Sequence, residues 1–186
     1  MTTNIQGLTL LQNFITTEEE ANLLAAIDQE TWLTDLKRRV QHYGYKYDYR
    51  TRRIDVSMKI GALPKWAKIL TERLKEEGYF RACPDQMIVN EYEIGQGISL
   101  HIDCEPCFED TIASLSLNSS AVMNFTHVFS KETIPVFLPA RSLVVMQGES
   151  RYDWKHGIPA RQKDRVEEQL YPRSRRISLT FRRVIL

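Results

Sequence analysis

The sequence predicts an α+β fold that is mainly β, with helices packed on the outside of a sandwich or a jelly roll. Helical periodicity is confined to the first half of the 186-residue chain. From Asp85 onward, short apolar runs are separated by Gly, Asn and Pro, which is typical of strands and turns. Because no helices remain between these runs to make the crossovers of a parallel sheet, the pattern favours a sandwich or a jelly roll.

Two amphipathic helices are predicted in the first half. The first covers residues 17–30, because Thr17 and Glu20 have the spacing of a capping box and the following apolar residues cluster on one side. The second covers residues 64–77, where Pro64 suits the first helical turn. Both helices should pack on the outside of a sheet.

The second half should consist of short strands. They are predicted over residues 86–92, 98–101, 112–117, 121–126, 136–138, 142–147 and 176–184. A chain of this length can bury one substantial core, so we expect a single domain over residues 1–186.

Composition gives no sign of a secreted or membrane protein. The first residues lack a basic region followed by an apolar one, and no apolar run approaches the roughly 18 residues of a membrane span. The 25 basic and 24 acidic residues nearly cancel, so a surface for nucleic acid must come from local segregation of charge. We expect a soluble, cytoplasmic monomer.

The cysteines Cys83, Cys104 and Cys107 are too few for the disulfide framework of a small secreted fold, so reduced thiols are expected. Cys104-Glu-Pro-Cys107 also invites a zinc interpretation. A closed zinc site needs four ligands, and only Cys83 and spare histidines remain to complete it, so zinc is the weaker alternative.

The sharpest chemical signal is His101-Ile-Asp103. Residues i and i+2 of a strand point to one face, so an imidazole and a carboxylate share one space. Two histidines and one carboxylate on one side of Fe(II) form the facial triad of non-haem oxygenases. The other histidines are His42 in a basic stretch, His127 at a predicted strand end, and His156 just after a strand. We expect His156 to be the third ligand.

An isolated His-x-Asp is more often a surface pair, and His156 alone reads equally well as a hydrogen-bonded core histidine. Independent residues are therefore needed. The predicted strand that begins at Arg176 alternates basic or polar residues with apolar ones, and a guanidinium binds a carboxylate of a dicarboxylic cosubstrate in a bidentate manner. Asn90 and Tyr92 share one face of another strand and could donate hydrogen bonds to the same ligand. Each could instead be a solvent-facing polar residue.

Four motifs in order resemble the AlkB family of Fe(II)/2-oxoglutarate dioxygenases, over about residues 7–184. They are Asn90-Glu-Tyr92-Glu-Ile-Gly95, His101-Ile-Asp103, His156-Gly-Ile and Arg176-x-Ser178-x-Thr-Phe-Arg182. Further runs look closest to the oxygenase domain of the family member that hydroxylates the wobble uridine of transfer RNA. These runs are Arg38-Arg39-Val-Gln-His-Tyr-Gly44, Phe108-Glu-Asp110, Ser116-Leu117 and Gly148-Glu-Ser-Arg-Tyr152.

The resemblance implies a double-stranded β-helix, which is a jelly roll, and a set of roles for residues of this chain. His101, Asp103 and His156 would bind Fe(II); Asn90, Tyr92, Arg176 and Ser178 would hold 2-oxoglutarate; Arg182 would support both regions and belong to the catalytic set. The implied reaction uses O2 to convert 2-oxoglutarate to succinate and carbon dioxide while a C–H bond is hydroxylated. On an N-methyl group the hydroxylated product loses formaldehyde.

A basic, tyrosine-rich segment suits nucleic acid. Residues 37–53 hold seven basic residues against one acid. Tyr43, Tyr45, Tyr47 and Tyr49 alternate, so an extended chain would offer one aromatic face for stacking on bases. The resemblance places a nucleotide-recognition lid here. Candidate substrate-binding residues are Arg38, Arg39, Tyr43, Tyr45 and Arg52. The alternative is that the tyrosines pack on the core beside a merely solvated basic edge.

The sequence leaves the substrate open between RNA, alkylated single-stranded DNA and protein. A protein side-chain hydroxylase or demethylase would use the same iron site and bind acidic polypeptide at the basic segment. A catalytically silent jelly roll that binds RNA is a third alternative, and it predicts no succinate production. The presence of a full set of candidate metal ligands favours an enzyme.

Overall fold

The computed structural model describes residues 4–34 and 36–186. Its α-helices are α1 (Thr17–Asp28), α2 (Lys65–Glu76) and the short α3 (Glu149–Tyr152). Its strands are β1 (Leu8–Leu11), β2 (Arg39–Tyr43), β3 (Gln86–Tyr92), β4 (Ile98–His101), β5 (Ile112–Leu117), β6 (Ala121–His127), β7 (Thr133–Leu138), β8 (Leu143–Met146), β9 (Trp154–Ile158), β10 (Lys163–Val166), β11 (Gln169–Pro172) and β12 (Arg176–Arg182).

Helix α1 begins with a capping box, one residue earlier than predicted. The Thr16 hydroxyl accepts the backbone N–H of Glu19 at 3.1 Å, and the Glu19 carboxylate accepts the N–H of Thr16 at 2.8 Å. Pro64 lies just before α2 as its N-cap rather than inside its first turn. The helix stops at Glu76, close to the predicted end.

The strands form two antiparallel sheets and a separate hairpin. The larger sheet has the order β1-β8-β5-β12-β3-β2, the smaller sheet has the order β4-β9-β6-β7, and β10 pairs with β11. The seven strands predicted from the sequence are present; β1, β2, β9 and the hairpin strands were not predicted.

Apolar side chains lie on both faces of the larger sheet. One cluster joins its outer face to α1 and α2, and includes Ile27, Leu74 and Leu179. A second cluster lies between the two sheets and includes Phe125 and Val144. The predicted mainly β jelly roll with helices on the outside is therefore confirmed.

The prediction of reduced thiols is wrong for Cys104 and Cys107, which form a disulfide. Cys104 is the N-cap and Cys107 the last residue of a single 3-10 turn, Glu105–Cys107, which brings their Cα atoms to 5.3 Å, within the range a disulfide spans. The bond leaves neither sulfur as a thiolate for zinc. Cys83 is a free cysteine.

Within residues 4–34 and 36–186, no helix is both long and apolar enough to cross a membrane.

Candidate active site

Two histidines and an aspartate converge between the two sheets. His101 ends β4 and lies directly opposite His156 of β9 in the strand register, with their ring centroids 4.4 Å apart. Asp103 follows two residues later, and its Oδ1 lies 3.6 Å from His101 Nε2. One ligand atom from each of the three residues lies within 4.8 Å of the other two. This is the donor set and spacing that a facial Fe(II) site requires.

Both imidazoles are prepared to bind a metal. The Nδ1 of His101 lies 2.8 Å from the carbonyl oxygen of Ser99, a contact that places the proton on Nδ1 and leaves the Nε2 lone pair free. Burial is the main reason why the pKa of His156 is lowered to about 3, and the neighbouring His101 adds to the shift. His156 is therefore neutral at physiological pH, the form in which imidazole binds a cation.

Two arginines hold the carboxylate ligand and its loop. The side chain of Arg182 approaches Asp103 with Nε at 3.2 Å, and Arg151 Nη1 donates to the backbone carbonyl of Asp103 at 3.0 Å. Burial alone would raise the pKa of Asp103, but Arg182 and the two histidines hold it well below its usual value. Asp103 is ionised and cannot easily turn away.

The most informative side chain is Arg176, at the start of β12. It is 3% exposed, and burial lowers its pKa to about 10. Its Nη2 donates to the Ser116 hydroxyl at 2.7 Å, and its guanidinium lies over the Tyr92 ring, 5.6 Å from the centroid. Among the described residues, Nε and Nη1 have no hydrogen-bond partner. Buried polar atoms are almost always paired, so two adjacent orphaned donors indicate that a ligand supplies the acceptors.

Strand register brings the other predicted cosubstrate residues beside Arg176. Tyr92 lies opposite Arg176, and Asn90 lies opposite Ser178, all on the face that looks toward the smaller sheet. The Ser178 hydroxyl lies 2.9 Å from that of Ser114. A carboxylate bound to Arg176 would therefore be surrounded by further hydrogen-bonding groups.

The interior carries an excess of positive charge. The guanidinium groups of Arg151, Arg176 and Arg182 are all buried; the carboxylate of Asp103 lies beside Arg182, and the buried carboxylate of Asp164 is paired with Arg173. Buried charges need partners, so a chamber with this balance favours an anionic ligand. A dicarboxylate supplies the missing negative charge.

The predicted lid segment touches this chamber through two of its arginines. Arg38 Nε donates to Asn90 Oδ1 at 2.8 Å, and Arg52 Nη2 donates to the carbonyl of Ile102, beside Asp103, at 3.1 Å. Arg39 instead forms an ion pair with Glu91 on the opposite face of β3. The structure thus brings Arg38 and Arg52 to the site and directs Arg39 away from it.

Tyr43 and Tyr45 do not share an aromatic face, although the alternation of tyrosines predicts one. Tyr43 packs edge-on against Trp66 near α2, whereas Tyr45 is buried in the cluster between the sheets. The chain turns at Gly44, whose φ is 78° and where a Cβ atom would meet the carbonyl oxygen of Asp85 at 1.9 Å. That left-handed turn breaks the period-2 pattern of an extended strand.

Tyr49 is a site residue that the sequence pattern does not single out. Its hydroxyl oxygen is buried and has no hydrogen-bond partner among the described residues. Burial raises its pKa, with smaller effects from charges that include Arg38, Arg182 and Asp103, so these groups surround the hydroxyl. Arg38 also lies over its ring at 5.8 Å. Only the tertiary position of the lid separates Tyr49 from its neighbouring tyrosines.

A family model for the 2OG-Fe(II) oxygenase superfamily matches residues 7–182. This chain belongs to that superfamily. Membership implies Fe(II) and 2-oxoglutarate, and the His–Asp–His cluster and the orphaned nitrogens of Arg176 fit the two ligands in turn. The predicted Fe(II) and 2-oxoglutarate are thus the cofactor and cosubstrate that the superfamily implies.

Relatives of the oxygenase confirm the resemblance to the AlkB family. An Arabidopsis thaliana protein named alkylated DNA repair protein ALKBH8 homolog is 40% identical, over 97% of this chain and 59% of the relative. A Macaca fascicularis protein named tRNA (carboxymethyluridine(34)-5-O)-methyltransferase ALKBH8 is 41% identical, over 96% of this chain and 30% of the relative. The chain therefore spans between about three tenths and three fifths of the length of these relatives.

The fold of the oxygenase agrees with that of a solved structure from the same family. The structure of OsALKBH1 superposes with a TM-score of 0.72 at 18% sequence identity, covering 98% of this chain and 99% of that one. At this identity the likeness supports the jelly roll itself.

Proposed function

We propose that this chain is an AlkB-like Fe(II)/2-oxoglutarate dioxygenase that hydroxylates or demethylates a modified base in nucleic acid. Transfer RNA is the favoured substrate, and alkylated single-stranded DNA is the next. One observation carries the proposal: the orphaned donors of Arg176 lie on the same face of β12 as Arg182, which holds the carboxylate of the His–Asp–His cluster. A metal site and an anion site thus open into one chamber.

The residues divide the work as follows. His101, Asp103 and His156 hold Fe(II), and Arg182 fixes the carboxylate ligand. Arg176 binds the carboxylate of 2-oxoglutarate that lies farther from the metal, with Tyr92, Asn90 and Ser178 around it. When bound, Fe(II) with 2-oxoglutarate and O2 supplies the oxidant that hydroxylates a C–H bond of the substrate.

The lid, residues 37–53, recognises the substrate. Arg38 and Arg52 reach the chamber wall from opposite ends of the segment, and the buried Tyr49 hydroxyl between them lacks an acceptor that a target base can provide. Basic side chains exposed along the segment, such as Lys46 and Arg50, suit the phosphates that flank an extruded base. The sequence pattern favours Tyr43 and Tyr45 for stacking on a base, but both rings are packed within the fold. Tyr49, through its hydroxyl, is therefore the better candidate for contacting the base.

The names of the relatives support a nucleic-acid substrate, since one refers to alkylated DNA repair and the other to a wobble-position uridine of transfer RNA. Every residue invoked for binding and chemistry lies within one chain, which supports a monomer as the working unit. With transfer RNA as the favoured substrate, we infer a cytoplasmic location.

The test is to incubate the iron-loaded protein with total transfer RNA and, separately, with methylated single-stranded DNA. The products are digested to nucleosides and analysed by mass spectrometry. We expect a hydroxylated or demethylated nucleoside that appears only with 2-oxoglutarate and is absent with the His156→Ala variant. Succinate release that nucleic acid does not stimulate, but an acidic polypeptide does, would move the substrate to protein.

Binding to nucleic acid has its own signature. We expect Arg38→Ala with Arg52→Ala to flatten the salt dependence of RNA affinity, by about one unit of log–log slope for each phosphate that the variant no longer binds. Arg39 is left unchanged because its ion pair with Glu91 holds the fold. An unchanged slope would show that these arginines do not contact the RNA backbone.

A further inference from the structure

The Cys104–Cys107 disulfide lies where the lid meets the loop of the metal carboxylate. Cys104 directly follows Asp103, and both cysteines are almost fully buried at 4% and 2% exposure. Between them, Glu105 and Pro106 are exposed, so the turn that carries the disulfide faces solvent. A reagent can reach the sulfurs when this one turn opens.

Arg52 of the lid contacts that loop both before and after Asp103. Its Nη2 donates to the carbonyl of Ile102 at 3.1 Å, before Asp103. Its own carbonyl oxygen lies 3.1 Å from the sulfur of Cys104 and 3.4 Å from that of Cys107, after Asp103. Arg52 has a φ of 51°, in the left-handed region that non-glycine residues seldom adopt. Its contacts must hold it there.

The redox state of the two cysteines decides what the Arg52 carbonyl meets. A thiol carries a proton and is a weak hydrogen-bond donor, whereas a disulfide sulfur has no proton to donate. In the disulfide form the two short contacts are therefore not hydrogen bonds. After reduction, both sulfurs carry protons and can donate to the same carbonyl.

The position of the Asp103 carboxylate should not depend on whether the two cysteines are oxidised or reduced. Arg151 donates from Nη1 to the carbonyl of Asp103 at 3.0 Å and from Nη2 to that of Cys104 at 3.3 Å. Arg182 holds the Asp103 side chain independently. A change at the sulfurs is thus transmitted to the lid and not to the metal site.

We propose that Cys104 and Cys107 are a reversible thiol–disulfide site, with peroxide and low-molecular-weight thiols as its reactants, that sets how firmly the lid is attached. On oxidation, the two thiols form the S–S bond and pass two electrons and two protons to a peroxide, which becomes two waters when it is hydrogen peroxide. On reduction, two thiol molecules return two electrons and two protons and leave as their own disulfide. The lid is held more firmly in the dithiol form.

The consequence for nucleic acid rests on the proposed function of the lid, but the attachment itself does not. We therefore measure the lid directly, by hydrogen–deuterium exchange of the backbone amides of residues 48–53 in the full chain after hydrogen peroxide or dithiothreitol. Mass spectrometry of alkylated thiols reports the state of the cysteines in the same samples. The dithiol form should exchange about twofold to fivefold more slowly, as expected for one or two added hydrogen bonds at the weak end of the usual range.

Two double variants separate hydrogen bonding from the covalent link. Cys104→Ser with Cys107→Ser keeps donors facing Arg52 and should stay protected under oxidant and reductant alike. Cys104→Ala with Cys107→Ala removes them and should exchange fast under both. Cys83→Ser, at the free cysteine, should respond like the wild type. RNA affinity should follow the exchange rates, while Mn(II) affinity should not change.

Equal exchange of the lid in the oxidised and reduced wild-type protein would overturn the proposal, as would a disulfide that dithiothreitol does not reduce. A protein that shows the exchange difference but binds no RNA would support the site and contradict the proposed function instead.

Discussion

The two faces of the sheet at β3 and β12 carry similar buried charges, but only those on the outer face have a full set of hydrogen-bond partners. On the outer face, Glu91 is 1% exposed and accepts hydrogen bonds from both Arg39 and Arg175, and Arg175 also pairs with Asp28 of α1. On the inner face, Arg176, which follows Arg175 in the sequence, has two side-chain nitrogens without an acceptor among the described residues.

This difference separates structural from functional polar groups. A buried charge whose partners are complete ties elements together, as the Glu91 cluster ties α1 and β2 to the sheet. A buried donor left without a partner destabilises the ligand-free protein, and beside a candidate metal site it favours a ligand that supplies the acceptor. Neighbouring residues of one strand thus differ in role because adjacent side chains point to opposite faces.

The largest expected effect is at the metal cluster. His156→Ala should reduce succinate formation by more than about 100-fold. Mutation of a residue that only hydrogen-bonds to a metal ligand already lowers metal affinity or activity by roughly 10–100-fold. His127→Ala is the matched control, because its ring contacts Trp154 and its Nδ1 pairs with the Ser130 hydroxyl, outside the cluster. Circular dichroism checks that both variants fold. Loss of turnover in the control but not in His156→Ala would reassign the third ligand.

Breaking the outer face should affect the fold and not the chemistry. Glu91→Ala leaves Arg39 and Arg175 without their shared acceptor, so we expect the free energy of unfolding to fall by about 3 kcal/mol. This is the lower end for a buried pair, because both arginines are partly exposed. Urea denaturation measures the loss. If Glu91→Ala had a normal free energy of unfolding but bound 2-oxoglutarate poorly, the outer face would be functional and not structural.

The same cluster has a pH signature. Burial alone would raise the pKa of Glu91, but hydrogen bonds from Arg39 and Arg175 hold it below 4.5. A carboxylate with a lowered pKa in the folded protein contributes stability above its unfolded pKa and loses it as pH falls. The difference in melting temperature between wild type and Glu91→Gln should therefore shrink below about pH 4.5. A difference that stays constant down to about pH 3 would exclude the ionic contribution.

The smallest effect is expected at Tyr49. Because an unpaired buried donor costs about 1–3 kcal/mol, Tyr49→Phe should melt at the same or a slightly higher temperature than wild type without ligands. Turnover with the nucleic-acid substrate should fall by about tenfold, the worth of one hydrogen bond to a ligand. Tyr47→Phe, in the same aromatic group, is the control. Lower melting with normal turnover would make Tyr49 a structural residue.

Strand periodicity accounts for what the sequence predicted well. Asn90 with Tyr92 and the residues of β12 are each spaced by two along strands, so their shared faces follow from local geometry. Asp103 lies two residues beyond the end of β4, and the loop there places it beside His101. His156 was predicted to follow a strand but lies within β9, a five-residue strand interrupted by Gly157 that shows no clear alternation. Its role was recognisable from the motif and not from periodicity.

The positions that the sequence did not predict depend on contacts between residues that are far apart in the chain or on local turns. Arg39 looked like a phosphate ligand until the pairing of β2 with β3 placed it opposite Glu91, 52 residues away. The turn at Gly44 separated the tyrosines, since a left-handed residue ends an extended run. The sequence favoured reduced thiols over zinc for Cys104 and Cys107 and did not indicate the disulfide, which depends on the 3-10 turn that brings the two residues together.

The most direct test compares Arg176, the first residue of β12, with Arg175, which directly precedes that strand. Calorimetric titration of 2-oxoglutarate into the Mn(II)-loaded protein is done for wild type, Arg176→Lys and Arg175→Lys, and each is melted in parallel. The loss of the planar fork at Arg176 should weaken binding by tens- to thousands-fold, for about 2–5 kcal/mol, with little change in melting temperature. Arg175→Lys should bind 2-oxoglutarate normally and melt lower, because it loosens the link to Glu91 and Asp28. Wild-type affinity in Arg176→Lys would contradict the assignment of the inner face as the cosubstrate site.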